Sequence, residues 1–225
     1  MVVLKGVANE QELAEIKSVL ATAKYADGAQ SAGAQAKKVK HNLQLVFESA
    51  DHQRAAGLVT KALHRNALFF SAALPAKITP VVFNRYEVGM DYGAHVDNAY
   101  MGARPGRAGL RSDLAATLFL NDPAGYDGGE LTVHHGQMVQ RVKLPPGDMV
   151  LYPANSRHRV EPVTRGVRDA AVFWVQSMVR DAARRQMLHD FDRAVQGLIA
   201  RNADAPEMLA LSAVYNGLLR EWLEI

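Results

Sequence analysis

The sequence predicts an α+β chain whose core is an antiparallel sandwich, barrel or jelly roll, with helices before and after it. Three observations carry this. Between Leu114 and Gln176, short apolar runs recur at a regular beat, each closed by a turn signal: Asn121-Asp122-Pro123, Gly128-Gly129, Pro145-Pro146-Gly147-Asp148 and Arg165-Gly166. Ahead of Pro80 and beyond Arg180 the apolar period is helical instead. No G-x-G-x-x-G follows a strand and neither a phosphate-binding loop nor G-x-S-x-G occurs, so nucleotide-binding and serine-hydrolase classes lack their motifs.

Taken in order, residues 9–24 read as a helix, with Asn9 and Glu12 spaced as an N-terminal capping pair and Leu13, Ile16 and Leu20 on one stripe. Residues 26–41 are rich in Gly, Ala, Gln and Lys and read as a loop or a short exposed ribbon. A second helix is expected from Asp51 to Phe70, with Ala55, Leu58, Val59, Ala62 and Leu63 facing a core. Pro80–Tyr86 is a strand. Gly89 and Gly93 then bracket a turn that delivers His95 and Asp97. Residues 101–112, with Arg104, Arg107 and Arg111, form a mobile loop that either helps hold an acidic or polar substrate or is simply solvated. Strands are expected at Leu114–Leu120, Glu130–Val133, Val139–Leu144, Met149–Tyr152, Arg159–Val163 and Arg168–Gln176. Two helices close the chain, one striped by Met187, Leu188, Phe191, Val195 and Leu198, the other by Leu211, Tyr215, Leu218 and Trp222. They are candidates either for packing on the barrel or for a homo-oligomer contact. The resulting division is 1–78 as a supporting region, 79–179 as the β core and 180–225 as a C-terminal helical extension.

At 225 residues, 48% hydrophobic and 22% charged, the chain suits one globular domain with a small appendage. A formal charge of +3 with no clustered basic face argues against a nucleic-acid partner. The local groups Lys37-Lys38 with Lys40, and Arg184-Arg185, read as solvated faces. With no cysteine, disulfides, thiolate metal sites and cysteine nucleophiles are excluded, and metal chemistry must use His, Asp, Glu and water. The N-terminus lacks the pattern of a leader, and no apolar stretch approaches the ~20 residues of a bilayer span. A cytoplasmic protein without a membrane partner is expected.

The chemistry centres on His95-Val96-Asp97. In extended backbone, residues i and i+2 point the same way, so an imidazole and a carboxylate aim at one point. A third ligand would complete the two-His-one-carboxylate face of non-haem Fe(II) sites. The β region offers His134, His135 and His158. His134-His135 precedes Gly136 and reads as an exposed hairpin tip, whereas His158 follows a strand and a turn and can point into a barrel mouth. Ten residues on, Arg168 opens a strand whose period-2 face holds Ala170, Val172 and Trp174. If that face lines the barrel, the guanidinium is buried and needs an anion, either in a structural salt bridge or from a dicarboxylate that reaches the metal with its other end.

Several motifs together resemble one family: Phe83-Asn84-Arg85-Tyr86, His95-Val96-Asp97-Asn98, Tyr126-Asp127-Gly128-Gly129-Glu130-Leu131, Leu151-Tyr152-Pro153, His158, Pro162 through Arg168, and Trp174 through Asp181. The chain resembles bacterial Fe(II)- and 2-oxoglutarate-dependent dioxygenases of the PKHD-type hydroxylase family over nearly its whole length. The resemblance implies a double-stranded β-helix (jelly-roll) core and a C-terminal helical extension. It implies Fe(II) on His95, Asp97 and His158, and 2-oxoglutarate on Arg168 with help from a Tyr86 or Tyr92 hydroxyl. It implies L-ascorbate as auxiliary reductant and, for some members, a link with iron uptake. The expected reaction couples decarboxylation of 2-oxoglutarate to succinate with hydroxylation of a substrate that is a small molecule, a peptide or a protein. Asn98 is the expected group for orienting the histidines. Two other readings stand beside this: a cupin-like metalloenzyme that does not use 2-oxoglutarate, and a non-catalytic iron or 2-oxoglutarate sensor.

Overall fold

The structure, a computed structural model, describes residues 1–31, 33, 35–102, 108–201 and 206–224. Strand β1 (Val2–Leu4) leads into helix α1 (Glu10–Thr22) through a capping box: Asn9 Oδ1 accepts from the Glu12 N–H, and the Glu12 carboxylate accepts from the Asn9 N–H. The expected loop of residues 26–41 is more structured than its composition suggests. It holds β2 (Tyr25–Asp27), 3-10 turns at Gly28–Ser31 and Ala36–Val39, and β3 (Lys40–His41), followed by β4 (Leu43–Leu45).

The single helix expected over Asp51–Phe70 is two, α2 (Ala50–Arg65) and α3 (Ala67–Ala73). Asn66 makes the break. Its backbone is extended and its side chain accepts from the Phe69 N–H, so it caps α3 instead of continuing α2.

The core strands are β5 (Pro75–Ile78), β6 (Val82–Tyr86), β7 (Asp91–His95), β8 (Tyr100–Met101), β9 (Leu110–Arg111), β10 (Leu114–Phe119), β11 (Asp127–Gly128), β12 (Leu131–His135), β13 (Met138–Val142), β14 (Met149–Pro153), β15 (His158–Val160), β16 (Val163–Arg165) and β17 (Arg168–Ser177). The strand expected over Arg159–Val163 is thus split. Pro162 has no N–H to carry a ladder onward, so β15 pairs with β12 and β7 while β16 leaves to pair with β11. The segment 101–112 is anchored at its ends by the β8–β9 ribbon. Arg104 and Arg107 lie outside the described residues. Arg111 is engaged in ion pairs within the chain, with Asp113 at 2.8 Å and Glu224 at 3.6 Å.

All pairing is antiparallel, in two main sheets. The larger runs β1-β14-β10-β17-β6-β4-β2, with β5 also on β17; the smaller runs β13-β12-β15-β7-β3. Strands far apart in the chain are neighbours, as a jelly roll requires. The larger sheet is buried on both faces, which explains why β10 shows no polar alternation. Its Ala116 and Leu118 join Phe83, Phe173, Ile16, Val59 and Phe69 under the N-terminal helices. Its Ala115 and Phe119 face inward with Tyr86, Leu131, Val133 and Tyr152, between the sheets.

Helices α4 (Ala182–Ile199) and α5 (Glu207–Trp222) pack on this body. Leu188 shares a small core with Leu74 and Val179, covered by Leu218, Leu219 and Trp222. A Ser71 Oγ to His189 Nδ1 contact of 3.0 Å ties α4 to α3. Arg185, expected in solvent, is buried because its Nη1 donates to the Val179 carbonyl at 2.8 Å, closing the turn into α4. Among the described residues no helix is long and apolar enough to cross a membrane.

Candidate metal centre

Strands β7 and β15 set His95 directly opposite His158. Asp97 lies two residues past His95, and its side chain returns to the same point while Val96 between them faces out, 50% exposed. One donor atom from each of His95, Asp97 and His158 lies within 4.8 Å of the other two. His95 Nε2 is 4.0 Å from Asp97 Oδ1, and His158 Nε2 is 3.8 Å from Asp97 Oδ2.

Each histidine is aimed by its own strand. Nδ1 of His95 donates to the Gly93 carbonyl at 2.8 Å, and Nδ1 of His158 donates to the Ser156 carbonyl at 3.0 Å. A carbonyl can only accept, so the proton sits on Nδ1 and the Nε2 lone pair is free for a metal. Asn98 takes no part in either bond; its backbone carbonyl accepts from the Ser112 hydroxyl. Packing fixes the rings further. Tyr92 stacks on His95 at 3.7 Å and 14°, and Tyr152 meets His158 edge-on at 5.1 Å.

Burial, with His158 beside it, pushes the His95 pKa down to about 4, which keeps the imidazole neutral. Burial pushes the Asp97 carboxyl up, against the opposing pull of His158, Trp174 and Lys40. Asp97 Oδ2 is buried with no hydrogen-bond partner. Two imidazoles whose Nδ1 atoms are engaged by backbone carbonyls, with a carboxylate that has an unsatisfied oxygen, form a donor set that fits a divalent cation.

Arg168 opens β17 opposite Tyr86 and is 2% exposed. Its guanidinium lies 5.1 Å from the centre of the Tyr86 ring and 5.5 Å from that of Phe119. The nearby carboxylates are committed elsewhere. Asp169 holds Arg85 through two bonds of 2.8 and 3.0 Å, and Glu161 holds Arg159 at 2.8 Å and the Thr132 hydroxyl at 2.8 Å. Arg168 Nε and the Tyr126 hydroxyl are both buried without a partner. Gly129 makes the close approach possible: at φ +66° it lies so near that a Cβ there would stand 3.0 Å from Arg168 Cδ. His95, Asp97, His158 and Arg168 line one cavity of about 660 Å³, together with Tyr86 and Trp174.

Sequence reasoning missed Lys40. It is buried, 7% exposed, whereas Lys37 and Lys38 are exposed as expected. Only the β3–β7 pairing, with Lys40 opposite Tyr92, turns it inward. His134 and His135 lie apart from the triad; His135 is exposed, and His134 contacts the Arg157 guanidinium at 3.2 Å.

A family model described as the 2OG-Fe(II) oxygenase superfamily matches residues 81–176, and one described as the PKHD-type hydroxylase C-terminal domain matches residues 181–224. The chain is 50% identical to a PKHD-type hydroxylase of Hyphomonas neptunium, over 97% of this chain and 96% of the relative. The chain belongs to the PKHD-type hydroxylases. A second relative, PKHD-type hydroxylase YbiX of Escherichia coli O1:K1 / APEC, is 46% identical over 99% of this chain and 98% of its own length. As a PKHD-type hydroxylase within the 2OG-Fe(II) oxygenase superfamily, this protein is an enzyme, an oxidoreductase of the dioxygenase type.

Solved structures share the jelly-roll fold. A Pseudomonas putida prolyl-4-hydroxylase superposes with a TM-score of 0.52 at 17% identity, covering 78% of this chain and 91% of that one. HygX from Streptomyces hygroscopicus, solved with nickel and 2-oxoglutarate bound, gives 0.53 at 12% identity, covering 78% and 82%.

Proposed function

We propose that this PKHD-type hydroxylase couples decarboxylation of 2-oxoglutarate, to succinate and carbon dioxide, with hydroxylation of a second substrate. In this reading His95, Asp97 and His158 hold Fe(II), and Arg168 holds the far carboxylate of 2-oxoglutarate. One observation carries it: a metal-ready triad and a buried guanidinium without a carboxylate line the same cavity. A cupin-like site without 2-oxoglutarate has no use for the second feature.

Fe(II), when bound, supplies the activation of dioxygen. The chain supplies position and exclusion. The two Nε2 lone pairs and the Asp97 carboxylate converge from one sheet, while Arg168 reaches in from the other. A planar guanidinium matches a carboxylate with two parallel hydrogen bonds. The Tyr86 and Phe119 rings flank the Arg168 guanidinium and shield the pair from water. Ascorbate is the auxiliary reductant that keeps the iron ferrous.

The test is conversion of 2-oxoglutarate to succinate by the purified protein with Fe(II) and ascorbate. His95→Ala, Asp97→Ala and His158→Ala are each expected to abolish it. Full turnover by a variant lacking all three side chains would overturn the reading.

A further inference from the structure

The cavity holds a second buried cation. Lys40 Nζ donates to Ser31 Oγ at 2.9 Å and reaches Gln44 Oε1 at 3.4 Å, both neutral acceptors. Among the described residues no carboxylate lies within ion-pair distance of it. Ser31, Lys40 and Gln44 line the same cavity as His95 and Asp97. Nζ is 5.3 Å from the centre of the Tyr92 ring, and the His95 ring is 3.7 Å from that centre; end to end, these put Nζ no more than about 9 Å from the His95 imidazole.

Asp27 and Asp97 act on this ammonium from beyond ion-pair distance, so its direct hydrogen bonds go only to neutral groups, a costly way to hold a hydroxyl and an amide in place. A neutral donor would do that structural work without the loss of hydration. The ammonium carries three donors, and Ser31 and Gln44 engage two. Burial holds its pKa down at about 8, so it still carries its charge at neutral pH. The cavity therefore presents two cations, Arg168 on the larger sheet and Lys40 on the smaller. With Arg168 assigned to 2-oxoglutarate, Lys40 is left for the other occupant.

We infer that Lys40 recognises a carboxylate on the molecule that is hydroxylated, which seats this group against Lys40 and Ser31 with its C–H bond toward the triad. The inference rests on the assignment of Arg168 to 2-oxoglutarate. A single ammonium balances the one negative charge of a carboxylate but only part of the roughly −1.5 to −2 of a phosphate, so a carboxylate is the better match.

The experiment uses matched probes, benzoate with benzamide and hexanoate with hexanamide, titrated by ligand-observed NMR into the protein loaded with Zn(II) and saturating 2-oxoglutarate. The wild type is expected to bind each acid at least tenfold tighter than its amide. Lys40→Met, which keeps the apolar stem, is expected to bring this ratio below twofold, and Lys40→Arg to keep it. Lys40→Gln retains hydrogen bonding to Ser31 and Gln44 and is expected to behave as Lys40→Met does. If Lys40→Met does not fold, it decides in its place. No preference for acids in the wild type, or a preference that survives in both neutral variants, would overturn the inference. Tighter binding of phenyl phosphate than of benzoate would overturn the choice of carboxylate. Calorimetry of 2-oxoglutarate with the Mn(II) protein separates the two readings. No binding to the wild type sinks the proposed reaction, whereas equal binding to wild type and Lys40→Met with no acid preference sinks only the role of Lys40.

Discussion

His95 and His158 stand directly opposite each other across the antiparallel β7–β15 pair, their ring centroids 4.2 Å apart. The backbone ladder brings the two imidazoles together, and the carbonyls of Gly93 and Ser156 set their tautomers. Both rings are thus oriented by hydrogen bonds and packing on paired strands. The cost of the site falls on Asp97, whose carboxylate is buried with one oxygen unsatisfied.

That cost gives the first prediction. Asp97→Asn removes a buried charge, so the metal-free variant should be at least as stable as the metal-free wild type, by up to about 2 kcal/mol. The wild type should gain about 2.7 kcal/mol from Mn(II) at a hundredfold excess over its dissociation constant, and the variant should gain almost nothing. Thermal unfolding with Mn(II) and with EDTA measures both. A variant that is less stable without metal would show that Asp97 has a structural partner.

Arg168 obeys the same logic with the opposite charge. It is 2% exposed and has no carboxylate partner among the described residues. Arg168→Met should leave the melting temperature unchanged or raised, while weakening 2-oxoglutarate binding by roughly ten- to 150-fold, as the loss of a charge-assisted pair worth about 1.5–3 kcal/mol implies. Calorimetry with the Mn(II) protein checks the affinity. Undiminished binding would reassign the cosubstrate's anchor.

Asp169 is the contrasting case. Its two bonds to Arg85 at 2.8 and 3.0 Å form a partly buried structural pair, with Arg85 also over the Tyr25 ring at 4.3 Å. Asp169→Ala should cost about 2–3 kcal/mol, discounted from a fully buried pair because the Arg85 side chain is 20% exposed. Urea unfolding measures the loss. The 2-oxoglutarate affinity of the folded variant should stay within a few-fold, which would separate the two neighbouring residues by role.

What was legible in the chain follows from how local the signal is. His95 and Asp97 share a side because of the two-residue period of extended backbone. Trp174 and Arg168 share a face of β17 for the same reason. The Asn9–Glu12 capping box is local too. Asn66 was missed because the apolar period runs on through it, so only its capping bond reveals the break between α2 and α3. The split at Pro162 and the inward turn of Lys40 depend on which strand lies alongside, and pairing between distant strands leaves no mark on nearby residues. Lys40 therefore looked like Lys37 and Lys38, and only its place opposite Tyr92 distinguishes it.

Lys40 also has a signature in pH. Its pKa is pushed down from 10.5 to about 8, chiefly by burial, with Asp27 and Asp97 opposing. Below pH 8 the folded and unfolded chains both hold the proton, and the burden of the buried ammonium is felt in full. Between pH 8 and 10.5 the unfolded chain keeps its proton while the folded one gives it up, so this group makes stability rise with pH. The gain across that window is at most about 3 kcal/mol. Burial, with Tyr86 and Asp97, holds the Tyr92 hydroxyl well above the ordinary tyrosine range, and the other groups that titrate in this window are present in both proteins, so the comparison is with Lys40→Met. The unfolding free energy of the wild type should climb relative to the variant from pH 8 to 10.5, read by urea titration at each pH. Two parallel curves would mean that Lys40 keeps an ordinary pKa, and that the cavity is wetter at this end than its packing implies.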